Sequence, residues 1–222
     1  MSANEYKDIN DRTAHAYHIL ERRAPYDLNL YSGPVEAAQV IFEEILSNCP
    51  NSFEALLGLG RCYSYKHFKY REAVRLFERA AGLKPEDPEP YFRAGVVLLR
   101  AAERETIAGE LYRQSIRFFQ KALELGYTPQ YELFDSLGTL FFRIEEFTEA
   151  ISWFMKAAES MPAEGFIPST FYLAAESHAR LGNYAEAIEW YELCKKHWPV
   201  DGEAIDQRIE ALRAVLNEQS TI

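Results

Sequence analysis

An all-α solenoid, a stack of helix hairpins finished by one more helix, is the fold class this sequence predicts, and three observations predict it. First, a frame of a small residue, an aromatic four places on, a small or apolar residue at plus seven and a proline at plus twelve occurs four times: Ala38, Phe42, Ile45, Pro50; Ala73, Phe77, Ala80, Pro85; Ala150, Phe154, Ala157, Pro162; and Ala187, Tyr191, Cys194, Pro199. A fifth copy, Ser115, Phe119, Ala122, Tyr127, lacks only the proline. Second, a pair of small or apolar residues precedes the frame: Leu59-Gly60, Ala94-Gly95, Leu137-Gly138 and Ala174-Ala175. Third, breakers punctuate the chain and strand signal is nearly absent. A unit recurring at a nearly fixed period is the mark of a stacked array.

In chain order, Tyr6 to Arg23 reads as the first helix, on the stripe Tyr6, Ile9, Thr13, Ala16, Tyr17 and Leu20. It partners the first frame across an irregular stretch, Ala24 to Pro34, which completes an atypical first repeat over 1–50. Repeat 2 spans 51–86, with Asn51 and Glu54 in capping-box spacing. Repeat 3 spans 87–128 and opens on Asp87-Pro88; eight extra residues drawn from Ala101 to Gly109 are helix-favouring in composition and predict that both of its helices are longer by about one turn. Repeat 4, over 129–164, opens on Thr128-Pro129. Repeat 5, over 165–200, starts in a loop, Ala163 to Thr170, and turns at Gly182-Asn183. A capping helix over 201–217 begins at Asp201 and shows Ile205, Ile209, Leu212 and Leu216 on one face. Such a cap is required because the last repeat would otherwise leave its apolar face in water. The units form one domain, 1–222.

The pattern resembles the tetratricopeptide repeat family, whose unit is a helix-turn-helix of about 34 residues. The likeness runs from about residue 34 to 199. It implies a right-handed superhelix of about five repeats, in which small residues let helices approach, the aromatic fills space between units and the proline ends the second helix. It also implies a concave groove lined by the first helices, here Arg61, Phe92, Arg100, Asp135, Phe142, Arg143, Tyr172 and Arg180. Three consecutive units carry arginine at the same place, Arg100, Arg143 and Arg180, interleaved with Phe92, Phe142 and Tyr172. That row suits an extended peptide with acidic and apolar side chains, although arginine also suits the end of a helix for dipole reasons alone. The carboxylate clamp of tetratricopeptide co-chaperones, a lysine and an asparagine one turn apart, is missing: the matching pairs are Leu57 with Arg61, Phe92 with Val96, Asp135 with Thr139 and Tyr172 with Glu176.

Bulk properties narrow the function further. A formal net charge of −10 disfavours nucleic acid and anionic membrane as partners, since both need a cationic field. Cys49, Cys62 and Cys194 form neither a disulfide framework nor a metal knuckle. The start of the chain lacks a secretory pattern and no run reaches membrane-spanning length, which predicts a cytoplasmic location. No catalytic constellation emerges, and neither an enzymatic activity nor a cofactor is predicted. His15 and His18, one turn apart, lack a third ligand in a known motif, so no metal is predicted either. His178 reads as a hydrogen-bonded core histidine, and Gly58-Leu59-Gly60 lies inside a helix rather than in a phosphate-binding loop. The expectation is a protein-interaction scaffold or adaptor that takes a protein or peptide partner of acidic character in its groove. The alternative is a self-associating subunit that packs as a homo-oligomer through the terminal helix or the lengthened third hairpin, where Ile107 and Leu111 read as outward apolar residues.

Overall fold

The computed structural model describes residues 3–21, 33–162, 168–197 and 202–219, and every element among them is helical. Residues 24–32, 163–167 and Asp201, where the sequence predicts loops and a cap, lie outside the described residues. The helices are α1 Ala3–Glu21, α2 Gly33–Asn48, α3 Phe53–Ser64, α4 Tyr70–Leu83, α5 Glu89–Ala102, α6 Ala108–Glu124, α7 Gln130–Arg143, α8 Phe147–Ser160, α9 Pro168–Arg180, α10 Tyr184–His197 and α11 Gly202–Gln219, with a 3-10 turn at His67–Lys69. They group into two compact units, residues 1–125 and 126–222.

In the first unit α1 to α6 pack in sequence, each on the next. The core runs from Ala16 and Leu20 through Phe42, Leu56 and Phe77 to Leu98 and Leu111. α1 does supply the missing partner of the first frame: Tyr17 meets Phe42 edge-on at 5.2 Å between ring centroids. An ion pair between Arg12 and Glu44 joins the same two helices at the surface. In the second unit α7 to α11 also pack in order, and α7 reaches α9 as well. Ile205 and Ile209 of α11 bury against Tyr191 and Cys194 of α10, so the last helix does close the apolar face of its neighbour. Two tryptophans take part here, Trp153 beside Phe134 and Trp190 beside Phe171, each with centroids 5.7 Å apart.

The repeated frame has a direct steric cause. A Cβ placed on Gly138 would stand 2.5 Å from the ring of Phe154, and the same holds for Gly60 against Phe77 at 2.5 Å and Gly95 against Phe119 at 2.6 Å. The aromatic of the frame therefore lies on the glycine of its own hairpin in these three units, not between units. Only Phe42 departs, lying against Gly58 of the following hairpin. The fifth copy uses its serine: Ser115 Oγ, fully buried, donates to the Gly95 carbonyl at 2.8 Å. Where that copy lacks proline, Gly126 takes a φ of +72° just after α6 ends. A left-handed residue stops a helix as firmly as a missing N–H does.

Several local expectations shift. Ser52, not Asn51, caps α3, its hydroxyl accepting the Ala55 N–H at 3.4 Å. α5 starts one residue past Pro88, with Asp87 Oδ1 accepting the Glu89 N–H at 3.0 Å. The extra residues of the third hairpin are divided unequally. α6 begins a full turn earlier relative to its frame than α8 does, α5 runs half a turn further past Gly95 than α7 does past Gly138 although both helices have 14 residues, and the rest widens the turn at 103–107. The cause is burial: Leu98 and Ala102 continue the apolar stripe of α5, but the next places on that face are Glu105 and Thr106, which gain nothing from a further turn. Leu111 is 3% exposed and belongs to the core, which corrects its reading as an outward residue; Ile107 is 47% exposed.

Candidate binding face

Each unit positions its share of the predicted face on its own first helices, α3 and α5 in the first and α7 and α9 in the second. In the first unit Arg61 is half-buried, its guanidinium 5.3 Å from the centre of the Tyr17 ring. The Tyr17 hydroxyl donates to the Glu54 carbonyl at 2.9 Å, and burial raises its pKa, against the opposing pull of Arg61. Arg61 is thus engaged in holding α1 against α3. Phe92 is 3% exposed and packs on Phe119 with centroids 6.0 Å apart, so it belongs to the interior and offers no surface to a ligand. Its place in the repeat suits the groove, but here α6 covers it. Arg100, exposed near the end of α5, lines a recess with Lys66, Phe68 and Arg104.

In the second unit Asp135 on α7 faces α9, where the buried Thr170 hydroxyl donates to its Oδ1 at 2.6 Å. Burial pushes the Asp135 carboxyl up to about 6; the Thr170 bond pulls it the other way, and nearby Glu132 adds to the rise. Tyr172 lies edge-on to Tyr191 at 5.5 Å. The Tyr191 hydroxyl donates to Glu176, and Arg208 of α11 approaches the same carboxylate at 3.5 Å. Burial first, and the bond to Glu176 second, raise the Tyr191 pKa. Both networks spend the polar groups of α7 and α9 on internal bonds.

A third group in this unit is aromatic and basic. The Phe142 ring meets Phe147 edge-on at 5.7 Å, and the Arg180 guanidinium lies 5.7 Å from the Phe147 ring centre. Arg143 and Arg180 end α7 and α9 and both are exposed. Stacked on an aromatic face, an arginine keeps its N–H edge available for a carboxylate. The structure therefore brings Phe142 and Arg180 together through Phe147, a residue whose position in the frame signals only packing. It does not join them to Asp135 or Tyr172 by any direct bond among the described residues.

The remaining candidates are simply placed. His178 is half-buried with Nδ1 out of solvent and without a hydrogen-bond partner among the described residues, and burial lowers its pKa; the expectation of a hydrogen-bonded core histidine is corrected at that nitrogen. Cys62 is buried, which pushes its thiol up to about 12, Cys194 is buried too, and Cys49 is half-buried. His15 and His18 are exposed on α1. Among the described residues no helix is long and apolar enough to cross a membrane.

Comparison with known proteins fits this architecture. The tetratricopeptide repeat profile matches residues 55–91 and, separately, 168–196. These two stretches match tetratricopeptide repeats. Among solved structures it is similar to YrrB, described as a tetratricopeptide protein with an unusual peptide-binding site, at 23% identity over 78% of this chain and 83% of that one, with a TM-score of 0.59. It is similar to TTC0263 of Thermus thermophilus at 16% identity over 93% and 99%, TM-score 0.63. It is similar to pilF of Pseudomonas aeruginosa at 14% identity over 97% and 93%, TM-score 0.70. At these identities the likeness carries the fold. The matched span 55–91 holds the Gly60–Phe77 contact, and 168–196 holds Ala175 beside Tyr191. Within the tetratricopeptide frame, Leu57 is buried and Phe92 is buried where a clamp would need exposed polar groups.

Proposed function

We propose that this tetratricopeptide chain is a non-enzymatic protein-interaction scaffold of the cytoplasm whose first-helix faces receive an extended, acidic segment of a protein partner. The supporting observation is the exposed Arg180 guanidinium resting on Phe147, which itself leans on Phe142, with no carboxylate partner among the described residues. An arginine held over an aromatic and left without an acid is arranged for a ligand's carboxylate, because stacking cuts the entropy lost when the second bond forms. Arg143, exposed at the end of α7, lies in the same unit. In the first unit Arg100 and Arg61 contribute to the corresponding faces, Arg100 by its exposure and Arg61 by fixing α1.

The test is an array of short acidic, neutral and basic peptides probed with the wild type and with the charge-reversed pair Arg143→Glu and Arg180→Glu. The expected result is preferential retention of acidic peptides, weakened several-fold by the reversal, with the thermal midpoint nearly unchanged. Retention that ignores peptide charge, or that survives the reversal, removes the reading.

A further inference from the structure

We infer that the recess between the α3–α4 turn and the end of α5 anchors an acidic peptide segment of a protein partner, one that sets a carboxylate beside an aromatic or aliphatic side chain. This rests on the interaction-scaffold reading and adds the chemistry of the ligand. The recess encloses about 190 Å³ and is lined by Lys66, Phe68, Tyr70, Val97, Arg100 and Arg104, among others. An apolar cavity of about 150 Å³ accepts a benzene ring, so this one has room for a single ring or branched aliphatic group.

Its chemistry is of two kinds, set side by side. Phe68, on the 3-10 turn, is 80% exposed, while Val97 is buried at the base. Exposing a phenyl ring forgoes roughly 2 kcal/mol of burial, and among the described residues nothing covers it. Around it stand Lys66, Arg100 and Arg104, with Glu105 as the one carboxylate of the lining. Lys66 Nζ is held by Gln39 Oε1 at 2.7 Å. Arg100 and Arg104 have no ion-pair partner among the described residues, although the chain carries a net charge of −10 and acids are plentiful. Neighbouring arginines left unneutralised repel each other, and a bound carboxylate removes that repulsion while forming charge-assisted bonds. The apolar half of the lining distinguishes a peptide from a free anion, and the overall negative charge disfavours a nucleic acid.

The recess is also built by departures from the plain repeat. The 3-10 turn carries Phe68, and the half-turn by which α5 is extended, with the widened 103–107 turn, carries Arg104.

The experiment measures fluorescence anisotropy of a labelled peptide of alternating phenylalanine and glutamate, and of its glutamine counterpart, against the full chain. The glutamate peptide is expected to bind and the glutamine peptide to bind at least about tenfold more weakly, as is the glutamate peptide with the Arg100→Ala/Arg104→Ala double variant, a loss of about 1.4 kcal/mol. Phe68→Ser weakens it several-fold, whereas Arg75→Ala, exposed on α4 and outside the recess, leaves it within about twofold. Circular dichroism and the thermal midpoint establish that each variant is folded. No binding by the folded wild type overturns the inference. So does binding that depends on Arg143 and Arg180 but not on Arg100 and Arg104, and that outcome leaves the scaffold reading intact. An oligonucleotide that competes equally well overturns it, and so does a doubling of mass by light scattering that the double variant abolishes, since the occupant is then a second copy.

Discussion

The two units solve the same packing problem and then use several of their polar residues differently. Both lay the frame's aromatic on a glycine, Phe119 on Gly95 in the first and Phe154 on Gly138 in the second. On the first-helix side of the second unit, Asp135 is bonded to Thr170 and Glu176 is shared by Tyr191 and Arg208. On the corresponding side of the first unit, Arg100 and Arg104 have no acid and Phe68 has no cover among the described residues. The difference teaches that a repeat's place on a face does not decide whether a polar residue serves the fold or a partner. What decides it is whether a neighbouring helix supplies the complementary group.

The largest effect should fall on what the units share. Gly95→Ala and Gly138→Ala each force a methyl group against a packed ring and are expected to cost about 2–3 kcal/mol by overpacking, read as matching drops in thermal midpoint. A large loss for one and none for the other would break the claim of common packing. Next comes the committed carboxylate. Asp135 has its folded pKa raised to about 6 from an ordinary 3.8. The fold therefore binds its proton more tightly than the unfolded chain, and the stability this supplies is complete below about pH 4 and is lost as the pH rises through 6. Asp135→Asn keeps an acceptor for Thr170 and removes the charge. It should stabilise the protein at pH 7 by about 2 kcal/mol, at about 1.36 kcal/mol for each tenfold change in proton affinity and with allowance for relaxation, and the gain should vanish by pH 4. Thermal denaturation across that range checks the sign; a gain that persists at pH 4 excludes titration as its cause. The smallest effect sharpens the contrast. Arg100→Ala with Arg104→Ala should change stability by less than about 0.5 kcal/mol, because neither side chain forms an ion pair with the described residues.

Sequence made the hairpin array legible because packing volume leaves a mark in every copy: glycine or alanine under the ring, the ring itself, and a stop. It also located α1 and α11, whose stripes have nowhere else to go. It misjudged features that depend on a neighbour brought in from elsewhere. Phe92 falls at a groove position but is covered by Phe119. Leu111 falls outside the plain frame, yet the extra turn of α6 carries it inward. Asp135 and Thr170 stand 35 residues apart, and no local pattern announces their bond. The recess was illegible for a similar reason, since Phe68 sits in a short turn whose composition resembles any loop and acquires meaning only beside Arg100 and Arg104.

One consequence follows from where the indoles stand. All three tryptophans of the chain, Trp153, Trp190 and Trp198, come after residue 126, and the two described ones are wedged beside Phe134 and Phe171. Selective indole emission is thus a native probe of the second half alone, whereas far-ultraviolet ellipticity registers both. A denaturation curve followed by both signals reports, without any label, whether the halves melt together, and a ligand seated at Phe68 would reach that emission only if the halves are energetically coupled.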